Sequence, residues 1–446
     1  MTSPISPASD RSEMAMAPGP AAFAAEALVN EPRETDLPKA GPGYVWSLII
    51  ATFGIFVAFI APLGISLAVR LQQLAPGNEE YLGYILGIGS LFAMFSAPVI
   101  GILSDSTRSR FGRRRPWLVA GAVLGLISLV VMAWSPSVFM LGVGWVLAQI
   151  GWGGAMTVLT VTQADRLSET QRGKVAGTVG FVMMVSPVVG SGLAASFVGD
   201  AYLMFLVPGI FGAIGVLLFV ALVRGDDSRA LELPKTTLRG VLGNYFYSPR
   251  LHPDFSWNWL ARFLFNVGVT FSTTFTIFFF ANRMGVPVDQ AASIMVVLGL
   301  GGVIASGLGA LLGGILSDKM RRRRAFVLAS GILFTAGAVI MALGTDVPVL
   351  MTGSIITSLG LGIFSAVDQA ILLDVLPDRE KDAGRFMGIN TFSTTVPQAV
   401  APLIAPAILL IGATAGEKNY TLLFLVASAF TLAGGALVLA KVKGSR

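Results

Sequence analysis

Twelve apolar stretches, each long enough to cross a bilayer, leave this chain few ways to fold. A helix spans the hydrocarbon core with about 20 apolar residues. Such stretches fall at 45–69, 80–104, 116–134, 139–164, 174–199, 202–223, 256–282, 290–316, 325–344, 348–376, 384–411 and 420–440, separated by Pro, Gly or clustered charge. With 54% hydrophobic and 13% charged residues, the chain is excluded from the water-soluble class. The expected fold class is an all-α membrane protein of twelve transmembrane helices.

Charge placement sets an orientation. Of 31 Lys and Arg, 27 fall in the two tails and in alternate loops; Arg70, Arg283 and Lys418 fall in the other loops, and Arg262 lies inside a span. Cations accumulate on the cytoplasmic side, so both termini are expected there, and the basic pI of about 9.7 calls for no nucleic-acid partner. The chain has no cysteine, which excludes thiolate chemistry and disulfides. Its one histidine, His252, lies in a polar linker and is read as solvated, because a metal site needs several converging ligands; no metal and no cofactor are expected. Residues 1–43 carry no apolar core for a signal peptide and read as a disordered cytoplasmic tail. Arg outnumbers Lys 23 to 8, a bias of GC-rich bacterial genomes, and the expected location is a bacterial inner membrane.

The chain repeats itself. Gly101 to Asp105 read GILSD and are followed by an arginine cluster; Gly314 to Asp318 read GILSD again and are followed by Arg321 to Arg324. Asp165, Arg172, Gly173 and Lys174 between spans 4 and 5 are matched by Asp374, Gly384 and Arg385 between spans 10 and 11, at an offset of 209 to 211 residues. The halves are then 44–223 and 256–446, each a six-helix bundle, joined by a cytoplasmic linker at 224–255.

A Gly-x-x-x-Asp run with clustered Arg after spans 2 and 8 resembles the signature loop of the major facilitator superfamily, over essentially the whole chain after residue 43. The longer form Ser109 to Pro116, Ser-Arg-Phe-Gly-Arg-Arg-Arg-Pro, is similar to the sucrose-type and glycoside-pentoside-hexuronide symporter branches. The resemblance implies a conformational latch: Gly101, Asp105, Arg110, Gly112, Arg113, Arg114, Asp165, Arg172, Asp318, Asp374 and Arg385, with Asp105 contacting the start of span 11 near Ala383 to Phe386. A carboxylate at a helix end can accept hydrogen bonds from Arg or from another helix's free amides. The plainer reading is that these charges set topology alone.

Repeat-built transporters bind near the midplane between their halves, and the resemblance implies that helices 1, 4, 7 and 10 line that cavity. Span 4 offers Gln149, Trp152, Met156, Thr160 and Gln163 at helical spacing; span 7 offers Asn258, Arg262, Asn266 and Thr270; span 10 offers Ser365, Asp368 and Gln369; span 11 offers Asn390, Thr394 and Gln398. Long amides and an indole suit an uncharged, hydroxyl-rich solute. The same residues serve equally as interhelical glue at about 0.6 to 2 kcal/mol each.

Arg262 and Asp368 are the two charges set inside spans away from their ends. At a helix centre each costs about 2.5 to 3.5 kcal/mol, and both lie about six residues from the same membrane face, so they are expected to pair. Snorkelling of Arg262 or a purely structural pair are the rival readings. The acidic residues that the sodium-coupled members of the resembling branch carry inside helices 2 and 4 are missing here, which disfavours a hard-cation site and leaves proton coupling through Asp368 or uncoupled diffusion. The leading expectation is a monomeric secondary carrier that imports a sugar or glycoside. An efflux carrier for drugs or metabolites keeps the fold and reverses the vector; a membrane-embedded enzyme or channel lacks its constellation here, so no enzymatic activity is expected.

Overall fold

The computed structural model describes residues 38–223, 227–229, 247–377, 382–413 and 418–444. The expected disordered tail lies outside the described residues up to position 37, as does most of the expected linker, at 224–226 and 230–246.

Each apolar stretch is a helix, the form in which a lone segment satisfies its own backbone in lipid. The first half holds α1 (Pro42–Leu74), α2 (Glu80–Ser106), α3 (Arg115–Trp134), α4 (Val138–Arg166), α5 (Glu169–Ala195) and α6 (Ala201–Leu222). The second holds α7a (Pro253–Thr274) with α7b (Thr276–Met284), α8 (Val288–Met320), α9 (Arg323–Leu343), α10 (Val347–Val375), α11 (Ala383–Leu410) and α12 (Tyr420–Lys441). Among the described residues, eleven helices are long and apolar enough to cross a membrane, and the α7a–α7b pair, bent by 48°, makes a twelfth. Three starts are capped by side chains: Ser137 accepts from the Met140 amide, Asp200 from Tyr202 and Leu203, and Asn419 from Leu422.

Two spans depart from a straight α-helix. In α1 the residues Pro62–Ser66 form a π-helical turn, where proline removes a donor from the ladder. In α7 the hydroxyls of Ser272, Thr274 and Thr276 all bond back to carbonyls four residues earlier. Such back-bonding competes with the ladder and bends helices, and the break follows at Phe275, whose φ of −113° and ψ of 15° leave the helical region.

Within the first half, α1 packs on α4, α5 and α6, and α3 on α4 and α6; within the second, α7a packs on α11 and α12, α8 on α10, and α9 on α10 and α12. The halves meet chiefly through two helix pairs, α2 with α11 and α5 with α8, with smaller contacts of α8 on the end of α1 and of α7a on α2. That leaves α7 and α10 in the front rank of the second half, toward the first, and α9 and α12 behind them.

Candidate functional site

One face of the molecule carries the repeated loops after α2, α4, α8 and α10, and each half ties them with one arginine. In the first half Arg114 reaches Asp105 at 2.5 Å and Asp165 at 3.0 Å, with Arg113 also 3.1 Å from Asp165. In the second, Arg323 reaches Asp318 at 2.7 Å and Asp374 at 2.6 Å. The arginine at the foot of α3 or α9 thereby clamps the ends of the two helices on either side, using the fork geometry of guanidinium toward carboxylates. Two residues before each clamp the backbone turns left-handed, at Gly112 (φ 85°) and at Arg321 (φ 52°). Glycine takes that conformation freely; for Arg321 it is uncommon.

Residues of the expected latch find partners within their own halves. Asp105 is paired with Arg114 of its own half, not with the start of α11. Arg385 pairs with Asp382 at 3.3 Å, Arg172 donates to the carbonyls of Leu167 and Ala164, and Arg110 lies over the Phe111 ring. Nothing lies within 4 Å of a side chain begun at Gly101 or Gly314, nor at Gly173, Gly177 and Gly180 of α5. No described residue of the facing half covers these positions.

At the opposite face the halves are joined. A Cβ on Gly83 of α2 would collide with the Pro402 carbonyl of α11, and one on Gly87 with Leu403 and the Ala399 carbonyl; only glycine lets these backbones approach so closely. α5 and α8 touch along the same end: a Cβ on Gly299 would lie 3.4 Å from Val188, and one on Gly192 3.8 Å from Val296. Two polar contacts cross between halves here: the Tyr420 hydroxyl donates to Glu79 at 2.6 Å, and Lys418 lies 2.9 Å from Glu80.

Between these faces sits a buried charge pair. Arg262 Nη1 donates to Asp368 Oδ2 at 2.6 Å, with side-chain exposures of 20% and 2%. The contact is single: Arg262 Nε and Asp368 Oδ1 find no partner among the described residues. One turn from Arg262, Asn258 is fully buried with neither amide atom bonded, and Asn390 of α11 is buried with its Oδ1 unbonded. The second half thus concentrates unpaired polar atoms on α7a, α10 and α11, in a low-dielectric setting where each is costly.

The other expected site residues divide. Asn266 and Thr270 are partly used by their own helix, Asn266 donating to the Arg262 carbonyl and Thr270 to the Asn266 carbonyl. Gln369, Gln398 and Thr160 are exposed and Gln163 is half-buried. Trp152 and Gln149 are corrected: Trp152 is fully buried with its indole on Gly125 of α3, and Gln149 lies on Gly89 of α2. Equal helical spacing puts them near Thr160 on the wheel, but the glycines of α3 and α2 make room for them inside the half. Sequence reading missed Arg323, although it lies 209 positions after Arg114, as Asp374 does after Asp165. It also missed Glu79, Glu80 and Tyr420, which lie near helix starts and carry no pattern. Among the described residues no group of three or more acidic or histidine side chains could hold a metal.

A Major Facilitator Superfamily model matches residues 44–308 and 303–445. One curated relative matches along most of the chain at low identity, the uncharacterized MFS-type transporter YfiU of Bacillus subtilis, 22% identical over 80% of this chain and 78% of that protein; others match over shorter stretches. The chain is 29% identical to the general alpha-glucoside permease of Schizosaccharomyces pombe over 122 residues, 26% of this chain and 21% of that protein. It is 35% identical to the human proton myo-inositol cotransporter over 100 residues, 22% of this chain and 15% of that protein. The matched stretches thus span 21% and 15% of the length of these two relatives. Its fold is similar to the crystal structure of the nucleoside transporter NupG, with a TM-score of 0.71 at 11% identity, covering 89% of this chain and 98% of that one.

Proposed function

The chain belongs to the Major Facilitator Superfamily, and from that premise we propose that it carries a sugar or glycoside across a bacterial inner membrane by alternating access, with Asp368 taking and releasing a coupling proton. It is a multi-pass membrane transporter of small solutes. The loop face is the cytoplasmic face, as its cations require, and both termini lie there.

The single observation that carries the coupling is the one-pronged pair. A buried carboxylate is costly to keep charged and a guanidinium offsets that cost, so any movement between α7a and α10 changes how readily Asp368 holds a proton. Its second oxygen, unbonded and buried, leaves room for the protonated form. Hydroxyl-rich solute is supported by the long amides Gln369, Gln398, Asn266 and Gln163 with Thr160, and by stretches shared with carriers whose names specify a glucoside and an inositol. Asn258 and Asn390 are assigned to the wall beside the pair. Gln149 and Trp152 are assigned to packing that holds α4 in place. The loop clamps act as the conformational latch by rigidifying each half, with Asp105 free to meet α11 only when the loop face closes.

Proteoliposomes with the purified chain test the reading. Uptake of labelled di- and monosaccharides is measured with and without an imposed proton gradient. Gradient-driven accumulation of at least one sugar is expected; exchange of none of the panel overturns the solute class, and uptake indifferent to the gradient overturns the coupling.

A further inference from the structure

At the loop face, α7a and α11 leave a groove of 730 Å³ lined by Trp257, Trp259, Leu260, Ile389 and Phe392, with Arg250 at its edge. It is not part of the space between the halves. At about 100° per residue, Leu260 lies roughly 200° around α7a from Asn258, on the side away from α10. On α11, Ile389 lies about 180° from Gln398 by the same count. Trp257 is covered by Lys441 of α12, a helix of the back rank, at 5.6 Å from its ring. The groove therefore opens sideways, to the bilayer.

Water filling such a groove would wet an almost wholly apolar wall, so its natural occupant is a hydrocarbon chain. The position is the membrane interface, where indole rings settle, and two cations stand close by: Arg250 lines the groove and Lys441 lies over the Trp257 ring. The acid beside them, Asp254, is turned to the chain end, accepting from the Lys443 amide at 2.9 Å. We propose that this groove holds the acyl chain of an acidic phospholipid whose phosphate is met by Arg250 and Lys441. It is a lipid site on the outer wall of the second half, separate from the transported solute, and it ties the foot of α7a, which carries Arg262, to the foot of α11.

The test is native mass spectrometry of the full chain released from micelles containing dioleoyl phosphatidylglycerol or dioleoyl phosphatidylcholine. Each interfacial cation contributes about fivefold toward an anionic headgroup, so wild type is expected to retain phosphatidylglycerol about 30-fold over phosphatidylcholine. Arg250→Gln with Lys441→Gln should erase that preference while leaving elution volume and melting temperature unchanged. Ser256→Trp, which fills the groove without touching charge, should lose both lipids. Glycerol phosphate without acyl chains should not compete. Equal retention of the two lipids by wild type, no lipid retained at all, undiminished preference in the double variant, or competition by glycerol phosphate would each overturn the assignment.

Discussion

Asp368 is held by a single hydrogen bond at 2.6 Å and buried with its other oxygen unpaired, so small changes at this residue separate chemistry from architecture. Asp368→Asn keeps the size and an acceptor for Arg262 but cannot titrate. Under the coupling proposal it should abolish accumulation against a gradient while solute exchange between liposome and medium continues. Wild-type accumulation in this variant would remove Asp368 from coupling. Asp368→Ala leaves a buried guanidinium without a partner, which costs about 3 to 5 kcal/mol, and should lower the melting temperature. Arg262→Ala does the same in reverse. The double variant Arg262→Ala with Asp368→Ala should recover much of that stability, since removing a buried pair whole costs less than breaking it; a double variant no more stable than the singles would show that the two residues do not share one interaction. The pairing was legible in the sequence because charge inside a span is costly and both residues count to one depth. That the pair would be one-pronged was not, because it depends on side-chain approach angles.

At the scale of helices, length and apolarity were enough to place the spans, and the repeated pentapeptide to place the halves. The bend in α7 was hidden because it comes from hydroxyls bonding back to their own helix, a choice made by rotamers and not by composition. Trp152 was misplaced for a related reason: periodicity tells which residues share a face, and only the neighbour tells what that face meets. Gly125 admits the indole, so Gly125→Leu should destabilise the first half by about 1 to 3 kcal/mol through overpacking, read as a lower melting temperature with solute affinity unchanged. A weakened affinity at normal stability would return Trp152 to the binding wall. The clamps make a matching prediction. Arg114→Ala strips Asp105 of its partner and leaves Asp165 to Arg113 alone, and Arg323→Ala strips Asp318 and Asp374 of theirs. Each should slow turnover more than it weakens solute binding, because the clamp lies far from the pair; a collapse of affinity with turnover intact would contradict a latch role.

For the whole molecule, the question is what holds the face opposite the loops shut. Beside the α5–α8 contact, three contacts compete for that role: the glycine-lined approach of α2 to α11, the Glu80–Lys418 ion pair, and the hydrogen bond from Tyr420 to Glu79. Ion pairs with some access to water are worth about 0.2 to 1 kcal/mol. Hydrogen bonds to a charged group are worth about 1.5 to 3 kcal/mol. Tyr420→Phe should therefore open this face more than Lys418→Ala, by at least about tenfold against at most about fivefold in the open-to-closed ratio. The absence of native cysteine makes the measurement clean. Leu403→Cys places a thiol where Leu403 now seals against Gly87, and its rate of labelling by a membrane-impermeant maleimide applied at the opposite face reports opening. Faster labelling in Tyr420→Phe than in Lys418→Ala, with both above the parent, is the expected order. Labelling unchanged in both would mean that helix packing alone closes the face, and Gly83→Leu would then be the variant that opens it, because its side chain cannot coexist with the Pro402 carbonyl.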